Sequence, residues 1–266
     1  MIPPGLDGTL VLLRHGESTW VAEGLFQGQA DPPLSESGRR QAALVADRIR
    51  RAHLPPALPV PAGDPYEIVH SPLRRTTETA AAVGAALAHG AGARVPLRPD
   101  PDLLEIAQGA WEGLSGEVIQ ARWPAELAGW RRDPLTTWAP GGESVSQVDV
   151  RVREALRRLL GGLREQGAGS EVHRSQVLGY GDARSVDPWT IVVGHDGALK
   201  VALLALLDLP LDRFWSFPFA LCGITVIEVR AGRPRLRAHN LVDHLGPLDD
   251  ERAQAVEADR SRTGAL

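Results

Sequence analysis

Short unbroken apolar runs alternate along this chain with longer stretches whose apolar residues recur every three or four positions. Residues 9–13 (Thr-Leu-Val-Leu-Leu) stop abruptly at Arg14-His15-Gly16, the pattern of a buried strand running into a turn. Residues 67–70, 94–98 and 190–193 read as three more strands, the last again ending in Gly194-His195. Residues 224–229 and 235–238 read as two strands joined by a turn at Ala231-Gly232. Between them, Leu44, Val45, Arg48 and Ile49 predict a helix over 36–52 with Ser35 as N-cap. Ser71-Pro72 predicts a helix to about residue 88, with Ser as N-cap and Pro at the first helical position. Val148, Val152, Ala155, Leu156, Leu159, Leu160 and Leu163 mark a strongly amphipathic helix, and 199–207, apolar all round, a buried one. Strands alternating with helices predict an α/β fold with a mostly parallel sheet covered on both faces. Such sheets bind ligands at the carboxyl ends of their strands, where His15 and His195 fall.

The remaining stretches are less regular. Pro55, Pro56, Pro59 and Pro61 predict a stiff surface loop. Residues 106–142 hold Trp111, Trp123, Trp130 and Trp138. Residues 164–188 are rich in Gly, Ser and charge and read as a mobile insertion, and 249–266 as a polar tail after a domain spanning 1–248. A net charge of −4 argues against bulk binding to nucleic acid or an anionic membrane. No apolar run reaches the roughly 18 residues of a membrane-spanning helix, and no secretory signal is expected from residues 1–5. Cys222 is the single cysteine, which excludes an intrachain disulfide and a cysteine zinc site and fits a reducing cytoplasm.

Several polar groups stand where chemistry is expected. Arg14-His15-Gly16-Glu17-Ser18-Thr19 sets an imidazole beside a guanidinium in a tight turn, a sensible way to hold and attack a phosphate. If the two strands are neighbours, Gly194-His195-Asp196-Gly197 places a second imidazole across the same crevice, with Asp196 expected to cap the following helix. Arg74 and Arg75 fall in the first turns of a helix, whose dipole already favours anions. Glu105 follows the third strand, where a carboxylate can serve as general acid.

Taken together and in order, RHGEST, SPLRRTTETA, LLEIAQGAWEGLS and VVGHDGALK resemble the histidine phosphatase superfamily, in the branch of phosphoglycerate mutases and bacterial phosphomonoesterases. Phe26-Gln27-Gly28, the segment 31–35 with Gly38, and Pro140-Gly141-Gly142-Glu143-Ser144 extend the likeness to residues 9–242. The resemblance implies a three-layer α/β/α sandwich with a lid, about 106–142, over the carboxyl edge of the sheet. It implies His15 as the nucleophile that becomes phosphohistidine, Arg14 and Arg75 as the phosphate clamp, His195 as the second histidine and Glu105 as proton donor. Ser18, Gln27 and Gly28 fall among the substrate contacts it implies.

These roles agree with elementary chemistry. Arg14, Arg75 and a protonated or donating His195 offset the charge of a phosphomonoester as it moves onto the leaving oxygen. The same cations keep His15 neutral and nucleophilic near pH 7. Glu105 starts protonated, then serves as base toward water. With two arginines supplying the charge, neither a metal nor another cofactor is expected. The expected partner is a small phosphorylated metabolite; the C-terminal strand edge offers a pairing surface for a homodimer. In the mutase alternative the glutamate is followed by an Arg-His-Tyr run that grips the substrate carboxylate; here Ile106-Ala107-Gln108 stands instead, although Trp130-Arg131-Arg132 resembles a mutase arginine pair. Non-catalytic binders of phosphorylated ligands usually lose a pocket residue, and none is lost here. Two departures stand out: Val21 where the family commonly has Asn, and Asp196 where it usually has Gly.

Overall fold

The chain, described by a computed structural model over residues 1–91, 94–169, 187–249 and 251, builds one six-stranded sheet. The strands are β1 (Gly8–Arg14), β2 (Ile68–His70), β3 (Leu97–Pro99), β4 (Trp189–Gly194), β5 (Ile224–Arg230) and β6 (Arg233–Leu241), in the order β3-β2-β4-β1-β5-β6. The first three neighbouring pairs are parallel, and β5 and β6 add an antiparallel edge. β1 and β4 are neighbours in register, Arg14 opposite Gly194, so both histidine-bearing loops leave the sheet at one level.

Alternation along the central strands divides the core. Leu10, Leu12, Val192 and Ile227 face one layer, formed by α6 (Val145–Gly169) and α7 (Asp196–Leu206). Val11, Leu13, Ile191 and Val226 face the other, formed by α2 (Glu36–Arg50) and α3 (Arg74–Ala91). The result is the expected three-layer α/β/α sandwich. The seven apolar residues predicted on α6 are all buried, as is every residue of α7 from Gly197 onward. No described helix is long and apolar enough to cross a membrane.

Four local expectations need correction. α3 starts at Arg74, not Pro72, because its first free N–H is met by the Asp31 carboxylate, 2.6 Å from Arg74 N, rather than by a cap at Ser71. β3 is three residues long and lies later than 94–98, since only Leu97 to Pro99 pair with β2. The proline loop is only partly at the surface: Leu58 and Val60 turn inward and complete the α2–α3 side of the core. The supposed insertion begins inside a helix, because α6 continues through Gly169; residues 170–186 of it, and 250 and 252–266 of the tail, lie outside the described residues.

The segment 106–142 carries a single 3-10 turn (Gly109–Trp111), then α4 (Gly116–Arg122) and α5 (Pro124–Arg132), preceded far upstream by the short α1 (Thr19–Ala22). Two of its tryptophans hold it down. Trp111 is fully buried edge-on to Phe26, and Trp130 packs against Phe214 and Trp215.

Candidate active site

The His15 turn is shaped by glycines and by α2. A Cβ on Gly16 would come within 2.5 Å of the Gly38 carbonyl, and one on Gly38 would collide with that of Glu17. The bare backbones let the α2 N-terminus press on the loop. Ser35 caps α2, as expected, and its hydroxyl also donates to Glu17 Oε1 at 2.6 Å. From the other side Gly16 N donates to Thr79 Oγ1 of α3.

At the end of β1, His15 N donates to Gly194 O at 3.0 Å, continuing the β1–β4 ladder by one residue. The two imidazoles then meet with ring centroids 5.1 Å apart and planes at 64°. Their partners fix opposite tautomers. His15 Nδ1 lies 2.6 Å from Gly16 O, which only accepts, so Nδ1 carries the hydrogen and Nε2 a lone pair. His195 Nδ1 accepts from Arg75 Nε at 3.3 Å, so its hydrogen sits on Nε2, which is buried without a partner. Burial first, then Arg75, holds both histidines well below the ordinary range; Arg14 adds to this at each, and the His15 imidazole lowers His195 further. Of the two forms expected for His195, protonated or donating, the surroundings favour the neutral donor.

Arg75 is fully buried. Besides His195 its guanidinium donates to Ala30 O (2.7 Å) and Gly28 O (2.8 Å), leaving two of its five N–H free. Burial lowers its pKa to about 10, against the raising influence of Glu105, Asp31 and Glu112, so it stays cationic at neutral pH. Arg74, one residue earlier, points to solvent beside Glu78. Arg14 is anchored by one bond, from Nη1 to Phe219 O at 2.5 Å, and its buried Nε has no partner.

Glu105 joins the group through α7. Its Oε1 accepts from Ile106 N (2.9 Å) and Ala198 N (3.1 Å), and its Oε2 from Gly197 N (3.2 Å), so the carboxylate rests on the helix that His195 begins. His195, not Asp196, occupies the N-cap position of that helix. Asp196 is its first residue: one oxygen takes a 2.5 Å bond from Lys200 Nζ, the chain's only lysine, and the other lies 3.9 Å from Arg14. The carboxylate therefore turns toward its helix, as expected, while still bordering the clamp.

Three expected contacts serve the pocket indirectly. Ser18 is fully buried; its Oγ caps α1 at Val21 N and donates to Gln27 Oε1 at 2.5 Å. Gly28 supplies the carbonyl that holds Arg75, at φ +51 and with no room for a Cβ beside Glu112. Val21 is tied to Ser18 by its backbone alone among the bonds described.

The sequence reading missed the support behind Glu105. Arg151 on α6 donates to Glu143 and to the carbonyls of Asp102, Leu104 and Glu105; Gln29 Nε2 bonds Glu105 O and Glu143; Glu112 Oε1 accepts from Gln29 N and Gln108 N. One signal was present: Arg151 sits three residues after Val148 and four before Ala155, a charge beside an apolar stripe. Among the described residues no group of three or more His, Cys, Asp or Glu could hold a metal ion.

Comparison with known proteins agrees with this geometry. Residues 10–172 and 176–242 match the histidine phosphatase superfamily (branch 1). Phosphoserine phosphatase 1 of Hydrogenobacter thermophilus is 29% identical over 247 residues, 93% of this chain and 99% of the relative. Glucosyl-3-phosphoglycerate phosphatase of Mycobacterium tuberculosis is 34% identical over 202 residues, 76% of each protein. Among solved structures, Bacillus stearothermophilus YhfR superposes with a TM-score of 0.69 at 28% identity, covering 90% of this chain and 99% of its own. Sequence, sheet and paired histidines agree, and the chain belongs to branch 1 of the histidine phosphatase superfamily.

Proposed function

We propose that this phosphomonoester hydrolase works through a phosphohistidine formed on His15. The observation that carries the proposal is the pair of opposed tautomers: a lone pair on His15 Nε2 and an unpartnered N–H on His195 Nε2, on rings packed in a T-shape beside Arg75. His15 Nε2 attacks phosphorus as the bond to the leaving oxygen breaks. Arg14, the two free N–H of Arg75 and His195 Nε2–H bind the non-bridging oxygens, where preorganised donors in a dry site are most effective. Glu105 gives its proton to the leaving oxygen. Its Oε2, with one contact where Oε1 has two, is the oxygen with capacity to carry that proton. In the second half Glu105 takes a proton from water, which attacks the phosphohistidine and releases phosphate.

The substrate is a small phosphorylated metabolite; phosphoserine and glucosyl-3-phosphoglycerate, named for two relatives, are the first to assay. A cytoplasmic setting is part of this reading, and the single cysteine, Cys222, fits it. The test is His15→Ala, with turnover expected to fall about 10⁴-fold or more, as for a nucleophile acting within a unit. Rapid-quench labelling should yield an acid-labile phosphoenzyme in the parent and none in the variant. Near-normal turnover in His15→Ala would sink the mechanism.

A further inference from the structure

Arg151 lies on α6, outside the phosphate pocket, yet its side chain is only 16% exposed and every N–H is committed. Nε and Nη2 grip the two oxygens of Glu143 at 3.0 and 2.9 Å. Nη1 donates to Asp102 O (3.0 Å) and Leu104 O (2.6 Å), and Nη2 again to Glu105 O (2.9 Å). These five bonds account for the five N–H of a guanidinium. Glu143 extends the grip past Glu105, accepting from Ala107 N at 2.9 Å while its own N–H donates to Ala107 O. Gln29 closes the ring, bonding Glu105 O at 3.0 Å and Glu143 Oε2 at 3.1 Å. Burial acts to raise the Glu143 pKa, but the bonds from Arg151 and Ala107 outweigh it and hold the carboxyl below its ordinary value, so this acid is ionised against Arg151 at neutral pH.

The backbone from Leu104 to Ala107, just past the 3-10 turn Pro101–Leu103, is thus pinned on both sides of Glu105, in a stretch with no strand or helix to fix it. A loop carbonyl of this kind is ordinarily left to water or to a single partner. Here one cation is bound to three of them and to the acid that anchors the next turn. A rigid arrangement of that cost has a use where a small misplacement of a reacting group is expensive.

We propose that Arg151, locked to Glu143, is a positioning residue for the proton transfer: it fixes the backbone from which Glu105 reaches the leaving oxygen. The proposal rests on Glu105 being the proton donor. Arg151 then matters in proportion to the leaving group's need for a proton, and leaves phosphate binding untouched.

The experiment uses substituted phenyl phosphates, with phenyl and p-nitrophenyl phosphate at the ends of the series, on the full-length enzyme. Arg151→Lys keeps the charge but loses the planar fork. It should lower kcat about 10- to 30-fold with phenyl phosphate and less than about 3-fold with p-nitrophenyl phosphate, whose leaving group scarcely needs protonation. KM and inhibition by inorganic phosphate should not change. Glu143→Gln should reproduce the same bias, and carries the test if Arg151→Lys does not fold. In a Glu105→Gln background, Arg151→Lys should cost nothing further with phenyl phosphate, since the group it positions is gone. Equal losses at both ends of the series, or additive losses in the double variant, would overturn the proposal. If Glu105→Gln by itself shows no leaving-group bias, the proton-donor reading falls and this role with it. If Glu105→Gln shows the bias and Arg151→Lys does not, only the positioning role falls.

Discussion

Arg75 joins two tasks that are usually separate, binding an anion and setting a tautomer. Three of its N–H hold Gly28 O, Ala30 O and His195 Nδ1, and two remain for an anion. A lysine would keep the charge but leave those acceptors unmatched in a fully buried site. We expect Arg75→Lys to lower stability by about 1–3 kcal/mol and kcat/KM about 10²-fold or more, measured by denaturant unfolding and steady-state kinetics. The histidines carry a second consequence. Burial and the neighbouring cations depress the folded-state pKa of His15 and His195 well below the unfolded value near 6.5. The unfolded chain therefore binds more protons in acid, so their contribution is whole above about pH 6.5 and is lost as pH falls below it. Each histidine contributes a slope of up to about 1.4 kcal/mol per pH unit until its folded pKa is reached. Unfolding free energies at pH 7.5, 6.5 and 5.5 should fall more steeply for the parent than for the His15→Asn/His195→Asn double variant; parallel slopes would show that other groups set the acid limit.

Among the elements, α6 offers the sharpest contrast. Gly161 and Gly162 are adjacent in the same helix, but a Cβ at Gly161 meets nothing within 4 Å, whereas one at Gly162 would collide with Tyr66 Oη. Alanine at 161 should stabilise the protein by about 0.5–1 kcal/mol through helix propensity alone. Alanine at 162 should destabilise it, because Tyr66 is held there by its bond to Glu67. Thermal melts of the two variants shifting in the same direction would refute the assignment. The same helix shows what could and could not be seen in the sequence. β1 and β4 were legible because each is buried on both faces and so is written as an apolar run, and α7 because the residues after Lys200 are all apolar and buried. The far end of α6 was not: the apolar stripe carries the helix past both glycines to the fully buried Leu163, but residues 164–169 have no apolar periodicity to mark them as its continuation. The start of α3 was misplaced for a related reason, since its capping carboxylate, Asp31, comes from 43 residues upstream and leaves no local signature.

At the scale of the whole molecule, the candidate catalytic group was legible to the extent that it follows the sheet. His15 and His195 end neighbouring strands, so residue type and strand position sufficed to bring them together, whereas the resemblance was needed to tell Arg75 from Arg74. The apparatus that carries Glu105 draws Gln29, Glu112, Glu143 and Arg151 from separate segments, and apart from the place of Arg151 beside the apolar stripe of α6, spacing along the chain holds no trace of it. That apparatus also bears on whether phosphate is released or passed back to the substrate. Returning it requires the dephosphorylated intermediate to be gripped while it reorients. The three residues after Glu105 provide no such grip. Ile106 is 2% exposed in the apolar core, Ala107 is bound through its backbone to Glu143, and Gln108 N to Glu112. Arg131 and Arg132 are exposed at the end of α5, consistent with solvated charges. We therefore expect hydrolysis to dominate. Incubated with 3-phosphoglycerate and a catalytic amount of 2,3-bisphosphoglycerate, the enzyme should form little or no 2-phosphoglycerate, and any phosphate it removes should appear free in solution. Rapid appearance of 2-phosphoglycerate with little free phosphate would mean that the grip is supplied elsewhere, with Arg131 and Arg132 the first residues to replace by alanine.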